Sequence, residues 1–455
     1  MKPLPFQSED LIRMDEFRGH TLVAWDPGLG KTLVALWWIQ NAKSFPAVII
    51  TPASIKWQWE RKTKEVIGIQ ALVLEGKKQK PDVVTRLRKA KIIIVNYDIL
   101  VYWLDVLKEI KPITIVMDEC QNVSNPKTKR SKACRNLCKK RKHVIGLSAT
   151  PMLNKPIELF PALQMISPNI FRSRQEFGEE FCDPEVTPWG IQFNGASNTK
   201  DLHQLLLDIN MVRRRKLEVL EQFPSKMRNV VVLPMKDAAA YQRFDKNFHT
   251  FFLKWLEKQP PKKAEKAKFA EALVKVGYLR RLAARLKWRF VVEWINTFLE
   301  DTDEKLVVFA IHKNAIQALK QGCNSKSVIV DGSVSLKKRQ EAVDQFREDK
   351  RTRLFIGNIK AAGSGIDGLQ IASNVAFAEL PWQPGLVTQA EDRIWRIGTT
   401  QKVWVWFFVA ADTIEERLCK ILQSKQEVLS SVLDGGAVDG DLNVLDQLIS
   451  ELNQE

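Results

Sequence analysis

Three stretches of the chain hold residue types whose spacing suggests chemistry. The first, Gly28-Leu29-Gly30-Lys31-Thr32, follows an apolar run and opens a helical one. Glycines let backbone N–H groups approach phosphate oxygens with no Cβ in the way, and a helix N-terminus adds partial positive charge. In that setting Lys31 is expected to reach the β and γ phosphates of a nucleotide and the Thr32 hydroxyl to take Mg2+. Trp25 stands where the strict G-x-x-x-x-G-K-[ST] spacing wants its first glycine, so a plain turn remains the alternative. The second stretch is Asp118-Glu119, closing the apolar run Ile113–Met117. Carboxylates at the C-terminal edge of a parallel strand sit where open α/β sheets bind ligands. Asp118 is expected to hold the metal and Glu119 to orient and deprotonate a water. In the third stretch, Arg393 and Arg396 lie far along the chain from both. Their planar, permanently charged forks suit phosphate oxygens.

Positioning these residues takes a sheet whose strands end together. The runs Thr21–Trp25, Ala47–Thr51, Ile92–Asn96, Ile113–Asp118 and His143–Ser148 are rich in Val and Ile without period-2 alternation, as in parallel strands buried on both faces. Helical segments Lys31–Gln40, Ile55–Val66 and Val101–Ile110 separate them, which predicts a doubly wound α/β sheet. A helical region follows from Asn154 to Leu220, interrupted by a polar stretch at Asp183–Thr199. Strand signals resume at Asn229–Leu233, Leu306–Ala310, Val328–Asp331, Arg353–Gly357, Asn374–Glu379 and Val403–Val409. The expected division is an ATP-binding unit over 1–222, a second α/β unit over 223–430 with a basic helical insertion at about 237–299, and an acidic tail over 431–455. In the tail, Leu442, Leu445, Leu448, Ile449 and Leu452 fall at helical spacing; a terminal packed helix and an acidic flap competing with a polyanion are both open.

Composition narrows the function classes. The 455 residues include 70 Lys plus Arg against 53 Asp plus Glu, a formal charge of +17, which favours a polyanionic partner. No apolar run is long enough to span a membrane, and Met1–Asp10 lacks the apolar core of a secretory signal. Six scattered Cys, none in C-x-x-C, and five scattered His argue against a zinc site and fit a reduced, cytoplasmic setting. Basic runs at Lys127–Lys142, Arg213–Lys216, Lys262–Lys268, Arg280–Arg289 and Lys337–Arg339 suit a phosphate backbone, contacts that are largely sequence-blind.

Taken together, the motifs resemble the Swi/Snf type of superfamily 2 helicase motor, closest to its annealing-helicase branch, over nearly the whole chain. The family's D-E-M-G-L-G-K-T resembles Trp25–Thr32, its D-E-A-H resembles Asp118-Glu119-Cys120-Gln121, and its third motif resembles Ser148-Ala149-Thr150-Pro151. The most specific likeness is Glu379-Leu-Pro-Trp382-Gln-Pro384 with Gln389-Ala-Glu-Asp392-Arg393-Ile-Trp395-Arg396-Ile-Gly398. Trp395, Thr399, Gln121 and Asp26-Pro27 depart from the family pattern without removing a phosphate, metal or water-activating group.

The resemblance implies two tandem RecA-like lobes, with ATP-Mg2+ cradled by Gly28, Leu29, Gly30, Lys31 and Thr32 and adenine read by Gln7. Arg396, with Arg393, would reach the phosphates as an arginine finger once the lobes close. The motif Ala361–Asp367 would bring Gly365 and Asp367 to the nucleotide. For DNA, the resemblance points to Thr51, Ser54, Asn96 and Tyr97 in the first lobe, and to His312, Asn358, Lys360, Gly363 and Trp382 in the second. It implies an ATP-dependent DNA translocase that tracks on duplex or branched DNA and remodels it. A strand-separating helicase, or an ATPase switch subunit of a DNA-processing or defence complex, is the alternative. A monomeric, minimal prokaryotic or phage motor is the expected setting.

Overall fold

The computed structural model describes residues 2–187, 190–219, 224–248, 250, 271–362, 368–396, 399–435 and 440–441. It divides into one compact unit of Met1–Phe223 with Gln426–Leu442, and a second built on Pro224–Lys425. The expected Gly363, Gly365 and Asp367 lie outside the described residues, as do the tail leucines from Leu442 onward. Ser431 to Asp434 close the helix Ile414–Asp434. Among the described residues no helix is long and apolar enough to cross a membrane.

The first unit contributes β1 (His20–Val23), β2 (Ala47–Thr51), β3 (Leu72–Val73), β4 (Ile92–Asn96), β5 (Thr114–Asp118) and β6 (His143–Leu147). The hairpin β7 (Pro184–Thr187) and β8 (Gly190–Phe193) follows, then β9 (Gly195–Ala196) and β10 (Met211–Val212). Seven of these form one sheet in the order β10-β1-β6-β5-β2-β4-β3, every pair parallel. Side chains alternate faces along a strand, and both faces are covered: Ile115 and Met117 join one core cluster while Val116 joins another. Continuous Val/Ile runs are the consequence, because neither face meets water.

The second unit repeats the plan with β11 (Lys226–Leu233), β12 (Leu306–Ala310), β13 (Ser327–Val330), β14 (Leu354–Asn358), β15 (Asn374–Phe377) and β16 (Val403–Ala410). Their order is β11-β16-β15-β12-β14-β13, again all parallel. Val307 and Phe309 face one cluster, Leu306, Val308 and Ala310 the other. The last strand, β17 (Gly440–Asp441), belongs to the first unit, where it pairs with β9. Both sheets are the parallel, doubly wound lobes the strand pattern implies.

Some boundaries shift. The strand expected at Thr21–Trp25 ends at Val23, releasing Ala24 and Trp25 into the glycine loop. The polar stretch after Asp183 holds the β7–β8 hairpin, whose Val186 is 83% exposed. Alternation in so short a hairpin is weak when most of it faces solvent. The basic segment of the second unit contains the helices Ala238–Lys246 and Glu271–Asp301.

A buried ion pair ties the long helix Glu271–Asp301 to the sheet and to the helix Ile414–Asp434. Lys287 Nζ, fully buried, donates to Glu415 Oε2 at 2.6 Å and to the Phe408 carbonyl at 2.7 Å. The same carboxylate oxygen accepts from Ala410 N at 2.9 Å. Removing one partner strands a desolvated charge, which costs about 3–5 kcal/mol. Glu415→Ala is therefore expected to lower stability by that amount in urea unfolding, and Lys287→Met with Glu415→Leu to recover most of it.

Candidate functional site

The glycine loop leaves β1 and enters the helix Lys31–Asn41 through two left-handed glycines, Gly28 at φ +86° and Gly30 at φ +92°. Only glycine takes that conformation at low cost. At Gly30 the space is closed as well, since a Cβ would stand 2.7 Å from Gln7 Nε2. Gln7 is buried; its amide donates to the Leu29 carbonyl at 2.9 Å and its oxygen accepts from Leu4 N at 2.8 Å. The residue expected to read adenine thus braces the loop from behind. Lys31 Nζ lies across the loop, donating to the carbonyls of Trp25 (2.8 Å) and Asp26 (3.1 Å). Thr32 stands half-buried in the first turn.

The departures in this loop have packing reasons. Trp25, fully buried, meets Phe6 edge-on at 5.4 Å and donates its indole N–H to Asp10 Oδ2 at 2.7 Å. Asp26 pairs with Arg213 at 2.8 Å and accepts from Lys216 N at 2.9 Å. Burial opposes its ionisation, but Arg213 and Lys216 together outweigh that and hold the carboxyl below its ordinary range. Arg213 also pairs with Asp434 at 2.9 Å.

Asp118 ends β5 beside β2, and that adjacency decides its surroundings. Its Oδ2 accepts from the Thr51 hydroxyl at 3.1 Å and from the Trp59 indole at 2.6 Å. Burial, then the neighbouring Glu119 carboxylate, push the Asp118 carboxyl up to about 6. Thr51, Asn96 and Tyr97, expected at DNA, are all buried. The Tyr97 hydroxyl donates to the Asp118 carbonyl at 2.8 Å. In this structure Thr51 and Tyr97 therefore hold the carboxylate end of β5, while Ser54 is half-buried in the turn beyond β2.

Glu119 takes a left-handed conformation at φ +51°, a cost of roughly 1 kcal/mol for a residue with a Cβ. The turn aims its carboxylate at Gln121, whose Nε2 donates to Glu119 Oε2 at 2.7 Å. Gln121 Oε1 accepts from the Ser148 hydroxyl at 2.7 Å, and Ser148 Oγ accepts from Thr150 N at 3.1 Å. One hydrogen-bonded line thus joins the carboxylate loop to the Ser148–Pro151 loop, with Gln121 at its centre.

Among the described residues no three His, Cys, Asp or Glu cluster as a metal cage. Magnesium needs none, because it is held by one or two protein oxygens together with substrate phosphates. Thr32 and Asp118 supply oxygens of that hard type.

In the second unit, polar groups again gather where strands end. Buried Glu379 accepts on one oxygen from Ile311 N (2.7 Å) and His312 N (2.9 Å), and on the other from His312 Nδ1 (2.7 Å). Burial opposes its charge, but the His312 contacts prevail and its carboxyl sits below the usual range. Asn358 Nδ2 donates to the Ile311 carbonyl at 2.7 Å, and exposed Lys360 follows it. The Arg280 guanidinium covers the Trp382 ring at 3.9 Å.

Arg393 and Arg396, both half-buried, follow the helix Pro384–Glu391. Fully buried Glu391 receives Lys226 Nζ at 2.5 Å and Arg228 Nη2 at 2.7 Å, which clamps that helix to β11. Trp395 donates to the Pro224 carbonyl at 2.7 Å. Thr399 Oγ1 donates to the Ile394 carbonyl at 2.6 Å and accepts from Arg396 N at 3.1 Å. The two departures from the family pattern thus fasten the arginine turn.

The phosphate loop and the carboxylates therefore belong to the first unit and the arginines to the second. Sequence reasoning missed Trp59, the linking role of Gln121, and the anchors Glu391 and Arg213. Trp59 gave no signal, since a Trp in a helix reads as core.

Comparison with known proteins matches residues 13–285 to the SNF2-related domain and residues 287–398 to the helicase conserved C-terminal domain. The human DNA annealing helicase and endonuclease ZRANB3 is 31% identical over 454 residues, covering 95% of this chain and 40% of that protein. The Xenopus tropicalis SWI/SNF-related matrix-associated actin-dependent regulator of chromatin subfamily A-like protein 1 is 32% identical over 445 residues, covering 94% and 44%. The chain thus spans less than half the length of these relatives. The Sulfolobus solfataricus SWI2/SNF2 ATPase core in complex with dsDNA aligns over 96% of this chain and 94% of that one, at 23% identity and TM-score 0.45. Because the first family model alone spans more than half of the sequence, the chain belongs to the SNF2-related family, the SWI/SNF type of helicase superfamily 2.

Proposed function

We propose that this protein is an ATP-driven DNA translocase that tracks on duplex or branched DNA as a monomer and remodels it. The observation that carries this reading is the division of the chemical groups. The phosphate loop and the carboxylates Asp118 and Glu119 stand on one unit, and Arg393 and Arg396 on the other. If hydrolysis needs both sets, each turnover requires the units to close, and chemistry becomes coupled to motion. Two relatives named for DNA annealing and chromatin regulation favour remodelling as the output.

In the proposed cycle the Gly28–Thr32 backbone cradles the triphosphate, and Lys31 leaves its loop carbonyls for the phosphates. Thr32 and Asp118 would hold magnesium, which when bound would supply positive charge to the phosphate oxygens. Glu119, steadied by Gln121, takes the proton of the attacking water. Arg396 stabilises charge on the transferred phosphoryl group, with Arg393 beside it. Ser54, His312, Asn358, Lys360 and Trp382 are the proposed DNA contacts, mainly to the phosphate backbone. For Thr51, Asn96 and Tyr97 the proposed role is to hold the Asp118 loop in place.

The deciding experiment is ATP turnover with and without duplex, forked and single-stranded DNA. Wild-type protein is expected to respond to DNA, and Lys31→Ala and Glu119→Gln to abolish turnover; no response to any DNA would remove the motor. Arg396→Ala should keep ATP binding and lose about 10³-fold or more in hydrolysis, so loss of binding contradicts the finger role. Trp59→Phe leaves Asp118 without its indole donor, and about 10–100-fold weaker magnesium-dependent turnover is expected. An unchanged magnesium titration would show that Trp59 only packs.

A further inference from the structure

The second unit contains a cavity of about 740 Å³, and of the described residues lining it the proposed cycle uses His312 alone. Its volume lies within the ~300–1,000 Å³ of small-molecule pockets. One wall is a single stripe of the helix Glu271–Asp301, where Tyr278, Arg281, Arg285 and Trp288 recur at three- and four-residue steps. Phe244 extends the aromatic surface, its ring 5.8 Å from that of Tyr278. His312 and Glu379 line the far side.

The charges in this cavity are unbalanced. Arg281 and Arg285 are exposed and one helical turn apart, a like-charge spacing that destabilises a helix. Neither has a carboxylate partner among the described residues: Arg281 donates to the Gly277 carbonyl and lies 4.8 Å over the Tyr278 ring. Among the described residues Glu379 is the lone acid in the lining, and both of its oxygens are taken by Ile311 and His312. Two uncompensated guanidiniums beside flat aromatic rings match a ligand with an anionic group joined to a planar ring. Nucleotides have that form, and proteins that hold single strands combine these two features.

We propose that this cavity takes an unstacked nucleotide of a DNA single strand, its base against the Tyr278 and Trp288 wall and its phosphate on Arg281 and Arg285. This rests on the reading of the chain as a DNA motor, because strands that are being annealed or regressed offer unpaired bases. The pocket gives the second unit a grip that depends on bases being unpaired, distinct from contacts to the duplex backbone.

The test measures binding of the full chain, by fluorescence anisotropy, to a labelled mixed-sequence single strand and to an abasic strand of equal length. Duplex DNA and free dAMP form two further arms. Wild-type protein should prefer the base-bearing strand by about fivefold or more. Arg281→Ala/Arg285→Ala should bind it about tenfold more weakly; both sites are exposed, so its melting should match wild type. Tyr278→Leu should reduce the preference over the abasic strand. Equal wild-type affinity for the two strands, with duplex still bound, overturns the pocket and leaves the motor reading standing. Binding to no DNA of any kind overturns both. A double variant with wild-type preference, or dAMP bound as tightly as the strand, overturns the assignment to a strand nucleotide.

Discussion

A parallel strand buried on both faces can offer polar groups only where it leaves the sheet. That constraint organises both units of this protein. In the first, β1 ends into the glycine loop, β2 at Thr51, β5 at Asp118 and β6 before Ser148. In the second, β12 ends before Ile311 and His312, β14 at Asn358 and β15 before Glu379. Residues tens of positions apart in sequence meet because their strands are neighbours and end at the same edge.

Buried carboxylates do different work in the two units. Glu379 and Glu391 are saturated by backbone N–H, histidine, lysine and arginine donors, and their carboxyls sit below the usual range. They fix loops and helices, since losing one partner of such a group costs far more than the pair contributes. Asp118 is held by two neutral donors on one oxygen, and burial lifts its carboxyl. A carboxylate held in place yet short of positive charge is suited to receive a cation. The line from Glu119 through Gln121 to Ser148 then gives a local change at the carboxylate loop a path to the next loop.

Much of this was legible in the sequence. Unbroken Val and Ile runs disclosed the central strands of both sheets, and the glycine loop and carboxylates followed from residue type and place. The two-residue strands Leu72–Val73 and Met211–Val212 have no periodicity to read. Thr51 and Tyr97 looked like strand contacts because their motif suggested it. Their bonds to Asp118 depend on β2 lying beside β5 and β4 next beyond β2 in the strand order, which pattern alone does not reveal. Trp59 reaches Asp118 across 59 residues, and nothing in the helix Lys56–Ile67 marks it from a packing tryptophan. Trp395 and Thr399 looked like departures, but the folded turn shows them as its fasteners.

In the proposed cycle, groups on two separate units act on one triphosphate. The most direct test is the distance between one spin label on each unit, measured by pulsed electron resonance in the presence of duplex DNA, with and without ADP and aluminium fluoride. One short distance is expected in the trapped state, lost in Arg396→Ala. A distance that stays unchanged in the trapped state while the labelled protein still hydrolyses ATP would contradict it.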